Sequence, residues 1–144
     1  MIPLFQIIVI LKQNLVFRTH TLTNKKGQMS KVVKQSEIRF KIGLDEKNVP
    51  LDIKWMATDS KNNELRDCKS IMISIWDMVQ NQTLKIDLWT NDMTTDEMHS
   101  HYFQTLLSMT ESYAKATGNP YAVEEMKKFA QSVAKRTADW EDSK

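Results

Sequence analysis

The hydrophobic rhythm of this chain changes once, close to Asn91, and that change fixes most of its architecture. Before it, apolar residues recur at every second position. SEIRFKIGL sets Ile38, Phe40, Ile42 and Leu44 on one side and Glu37, Arg39 and Lys41 on the other, and LDIKWMATD continues through Leu51, Ile53, Trp55 and Ala57. SIMISIWD and TLKIDLWT alternate in the same way. A period of two marks half-buried strands, because successive side chains point to opposite faces of a sheet. Beyond NDMTTDEM the period lengthens to that of a helix.

The polar DEKNVP joins the first two strands and MVQNQ the second two, so two hairpins are expected, with SKNNELRDCK as a polar loop between them. With Gln80 and Asn81 at the tip of the second hairpin, Ile75 lies opposite Ile86 and Ile73 opposite Leu88. Trp76 and Trp89 then share the other face. Thr94 with Glu97 three residues on fits a capping box, and Asp96 suits the positive end of the helix dipole. The first helix carries Met98, Tyr102, Leu106, Met109 and Tyr113 on one face and stops at Gly118. Asn119 and Pro120 open a second, whose inner stripe is Val123, Met126, Ala130, Val133 and Thr137. The expected fold is α+β, in the order ββββαα: a four-stranded antiparallel sheet of two hairpins followed by two antiparallel helices.

Charge separates the first 28 residues from the rest. They hold Lys12, Arg18, Lys25 and Lys26 and no acid, whereas residues 29–144 carry 16 basic and 18 acidic groups. The net charge of +2 therefore sits in an N-terminal extension, and Met29 is the expected true start of a single domain over residues 29–144. The competing expectation makes the apolar QIIVIL an added strand or a membrane-surface anchor. A mildly acidic body lacks the clustered Lys and Arg that hold phosphate backbones, so nucleic acid is not an expected partner. PLFQIIVIL is too short to span a bilayer and has no basic residue before it, so no transmembrane segment or secretory signal is expected. Cys68 stands alone, which suits a reducing compartment.

No catalytic motif is present. His99 and His101 diverge on a helix, where paired ligands need a spacing of three or four, so neither a metal site nor another cofactor is expected. The three glycines, Gly27, Gly43 and Gly118, cannot build a phosphate-cradling loop. Asp77, Asp87 and Asp92 could converge into an acidic pocket, making a small enzyme or ligand-binding protein the alternative reading. The face bearing Met72, Trp76, Lys85 and Trp89 is a candidate for partner binding, since Trp is enriched at hot spots and Met adapts to varied surfaces, and equally a candidate core face covered by the helices or by residues 1–28. That face stays open if two helices cover the other side of the sheet.

The segments IRFKIGLDEKNVPLDIKWMATD, ISIWDMVQNQTLKIDLWTNDMTTDEM and YAKATG resemble the gliding-motility GldC family of Bacteroidetes-type bacteria, from about Ser36 to Gly118 and more loosely beyond. The resemblance implies a small soluble accessory protein of gliding motility, cytoplasmic or peripheral to the inner membrane. It implies a lipoprotein or another envelope component as protein partner, and no known reaction. Trp76, Asp77, Asp87 and Trp89 belong to the shared pattern with their roles open, and Asp87 stands with Met72, Trp76, Lys85 and Trp89 in the candidate partner-binding set.

Overall fold

The computed structural model describes residues 32–60 and 64–144, and the backbone alone of residues 6–9. The expected boundary at Met29 lies outside them. Among the described residues the chain forms β1 (Gln6–Val9), β2 (Ile38–Leu44), β3 (Pro50–Ala57), β4 (Arg66–Cys68), β5 (Ser70–Asp77), β6 (Gln82–Trp89), α1 (Thr95–Thr117) and α2 (Pro120–Glu141). The class is α+β, but there is no single four-stranded sheet. Two antiparallel sheets form instead, in the orders β2-β3-β4 and β1-β6-β5.

The reason lies in a slip of phase. Cys68 pairs with Ile53 and shares its face, an even position, whereas Ile71, Ile73 and Ile75 are odd. One regular strand cannot present both sets to the same side. The chain therefore bends at Lys69, so that β4 closes the first sheet and β5 begins the second. Such corners, where a strand switches sheets at a bend, let two sheets share one core. SKNNELRDCK accordingly ends in a strand, not in a loop.

Packing gathers at this corner. Ile53, Ile71 and Leu88 are buried together, with Ile42, Cys68, Ile73 and Ile86 packed against them. The Lys69 carbonyl accepts the Thr90 amide at 2.8 Å, and the Pro50 carbonyl accepts the Asn91 amide at 3.3 Å. Pro50 and Thr90 are themselves buried. Backbone groups taken from water are thus paired where the two sheets meet.

Both hairpins form. In the first, Asp45 Oδ1 accepts the amides of Lys47 and Val49, and Asn48 supplies a left-handed residue at φ 61°. In the second, Asp77 pairs with Gln82 across residues 78–81, with Asn81 left-handed at φ 51°. The loop is longer than a tip at Gln80 and Asn81 requires, so the register moves by two: Ile73 faces Ile86 and Ile75 faces Leu84. A shift of two preserves which face each residue occupies. β1 runs antiparallel to β6, with Ile7 opposite Ile86, so a strand forms within the N-terminal segment.

The helix signals act as their chemistry dictates. Thr94 and Glu97 make a reciprocal capping box, and Gly118 at φ 64° caps the C-terminus of α1. The Asn119 side chain accepts the Ala122 amide, with Pro120 at the first helical position. Thr110 and Ala130 are the buried positions of the pair, while Tyr102, Met109, Phe129 and Trp140 stay exposed. Of the α1 stripe, Met98, Leu106 and Tyr113 are half-buried. Two compact units result, Met1–Asp92 and Met93–Lys144.

Candidate functional site

The β5–β6 register brings the candidate binding residues onto one face. Met72 lies opposite Asp87, Ser74 opposite Lys85, Trp76 opposite Thr83 and Trp89 opposite Ser70. In an antiparallel pair, directly opposed residues share a face. Met72, Trp76, Lys85, Asp87 and Trp89 therefore lie on the side opposite Ile71, Ile73, Leu84, Ile86 and Leu88.

Their environments differ. Trp76 is 64% exposed, while Met72, Lys85 and Trp89 are half-buried. Asp87 is only 7% exposed, and its Oδ2 lies 2.7 Å from Lys85 Nζ. Its Oδ1 hydrogen-bonds to no described residue. The centre of the face is thus a partly buried ion pair, where losing one partner would strand a charge. Trp76 belongs to an apolar end: Ile75, Met78 and Val79, at the tip of the hairpin, are also exposed.

The three carboxylates of the alternative reading do not converge. Asp77 has the parity of Ile73 and Ile75, whereas Asp87 faces Met72, so the two lie on opposite faces of the sheet. Asp77 is moreover a turn cap, its Oδ1 accepting the amides of Val79 and Gln80. Asp92 lies past the far end of β6, on the order of 30 Å from Asp77 at ~3.3 Å per strand residue.

Asp92 joins other carboxylates that the sequence did not single out. A surface hollow of about 280 Å³ at the corner is lined by Asp52, Asp67, Cys68, Lys69, Thr90 and Asp92, among others. Its charges are paired: Lys54 bridges Asp52 and Asp67, and Lys69 lies 3.7 Å from Asp92. The hydrogen bonds that Lys54 donates to Asp67 and then to Asp52 hold its ammonium above its usual range. Burial, and then the nearby Asp67 and Asp52, push the Cys68 thiol up, the opposite of what a nucleophile needs. The pairs Ile53–Cys68 and Lys54–Asp67 follow from the β3–β4 ladder, whose only forewarning was the apolar Cys68 within a polar run.

On the helices, His99 Nε2 lies 3.3 Å from Glu141 Oε1, and its ring meets Trp140 edge-on at 6.1 Å. His101 Nε2 is buried without a hydrogen bond to any described residue. No group of three or more potential metal ligands occurs among the described residues, nor is any described helix long and apolar enough to cross a membrane.

In comparison with known families, the family described as gliding motility-associated protein GldC-like matches residues 50–139, well over half of the chain. Neither the curated proteins nor the solved structures give a match.

Proposed function

The chain belongs to the GldC-like family of gliding motility-associated proteins, and from that premise we propose that it is a non-enzymatic accessory protein that docks onto a protein component of the envelope motility machinery. The exposed Trp76, on the same face as Met72, Lys85, Asp87 and Trp89, carries the reading. A tryptophan held on a strand loses little side-chain entropy on binding and offers a large apolar surface. The carboxylates of the corner hollow are neutralised by Lys54 and Lys69, which favours binding over acid-base chemistry. The proposed location is the cytoplasm, at the periphery of the inner membrane, with an envelope lipoprotein as a candidate partner.

The test is complementation of a gliding strain that lacks its own GldC-like protein. Trp76→Ala, shown first to melt like the parent, is expected to leave colonies that do not spread. Spreading restored to the parental level would overturn the docking role of this face.

A further inference from the structure

We propose that the outer edge of β5 pairs with the β5 edge of a second copy of this chain, joining two β1-β6-β5 sheets into one continuous sheet. Exposed strand edges are templates for further pairing, and natural proteins guard them with charges, bulges or short length. The other edges here are guarded. β2 carries Arg39 and Lys41 and an irregularity between Gly43 and Leu44, β4 has 3 residues and β1 has 4. β5 runs for 8 residues in unbroken register with β6. It has no charge before Asp77, no proline, and no partner on its outer side among the described residues.

Hydrogen-bond alternation says which groups are free. Lys69 accepts the Thr90 amide, so along an antiparallel ladder Ile71, Ile73 and Ile75 direct their backbone toward β6, and Ser70, Met72, Ser74 and Trp76 direct theirs outward. Self-pairing must therefore match even positions with even ones. Antiparallel pairing centred on Ile73 does so: Ser70 meets Trp76, Met72 meets Ser74 and Ile71 meets Ile75.

The same register brings Lys69, at the bend that opens β5 and 3.7 Å from Asp92, to the level of Asp77 of the other copy. The uncharged strand is thus bracketed by opposite charges that an antiparallel second copy complements, whereas a parallel copy would set like against like. Exposed Ile75 and Trp76 would gain cross-strand neighbours. Each half of the contact repeats the other, as a twofold interface requires.

The experiment measures the mass of the full chain in solution by sedimentation over a range of concentrations. The parent is expected to reach twice the chain mass. Ser74→Pro removes an outward amide without touching the β5–β6 ladder, and is expected to halve that mass in a chain that stays folded. If the proline variant unfolds, Ser74→Lys, which adds an edge charge at an exposed position, is expected to give the same halving. Asp77→Asn keeps the turn acceptor but removes the bracketing charge, and should weaken association about three- to tenfold. A parent that stays a single chain at every concentration, or a folded Ser74 variant that still pairs, would overturn the proposal. An unchanged association constant for Asp77→Asn would overturn the register centred on Ile73.

Discussion

Asp77 accepts the amide of Gln80 at 2.8 Å, using the same carboxylate oxygen that takes the Val79 amide at 2.7 Å. The side chain thereby satisfies two turn amides and fixes a four-residue loop over residues 78–81. Replacing Asp77 by Ala should cost about 1 kcal/mol of stability, whereas Asp77→Asn keeps the acceptor and most of the stability. Urea unfolding of both variants checks this. Equal losses would show that charge, not the acceptor geometry, holds the turn.

Ile53 and Trp76 should respond oppositely to truncation. Ile53 is 1% exposed at the meeting point of the two sheets, so Ile53→Ala is expected to cost about 2–5 kcal/mol through lost burial and a residual cavity. Trp76→Ala is expected to stay within roughly 0.5 kcal/mol of the parent, as an exposed position should. A melt lowered by several degrees for Trp76→Ala would place that ring in the fold and remove the case for docking.

The ends of α1 carry separable contributions. Gly118 has φ 64° with open space around the position a Cβ would take, so Gly118→Ala meets backbone strain and no steric clash. Its expected cost is about 1 kcal/mol. Thr94→Ala, which removes the hydroxyl that accepts the Glu97 amide, should cost a similar ~1 kcal/mol. The two sites lie at opposite ends of the helix, so thermal unfolding of the double variant should show additive losses. A double variant no worse than either single one would show that the helix frays at one end first.

Cys68 should be a slow nucleophile. Burial and the nearby Asp67 and Asp52 raise its thiol above the ordinary value, so little thiolate exists at neutral pH. Alkylation by iodoacetamide is expected to lag a small free thiol at neutral pH and to accelerate as the solution becomes alkaline. The linked stability has a definite sign: because the native thiol holds its proton more tightly, the fold loses stability as pH rises from the unfolded thiol value through the native one. Rapid alkylation at neutral pH would refute the assignment.

Much of this architecture was legible because its signals are local. Alternation located β2, β3, β5 and β6, and Thr94, Gly118, Asn119 and Pro120 marked the helix ends. The common face of Met72, Trp76, Lys85, Asp87 and Trp89 was also readable, since an error of two in register leaves parity intact. Three features depended on distant contacts and were missed. β4 is three residues long, two of them charged, and is recognisable only beside Ile53 and Trp55. The division into two sheets follows from the phase slip between Cys68 and Ile71, which is present in the sequence but acquires meaning only with β3 and β6 in place. The gathering of Asp52, Asp67 and Asp92 arises from the bend at Lys69, and no spacing along the chain encodes it.

That bend has a mechanical consequence. β4 and β5 are one stretch of backbone, so tension applied along β5 passes through the bend at Lys69 into β4 and reaches both ladders. A ladder pulled along its strands must break many hydrogen bonds together, whereas one pulled sideways opens a rung at a time. Load entering at the β5–β6 hairpin would therefore be shared between the sheets, with Ile53, Ile71 and Leu88 acting as the rivet that resists their sliding.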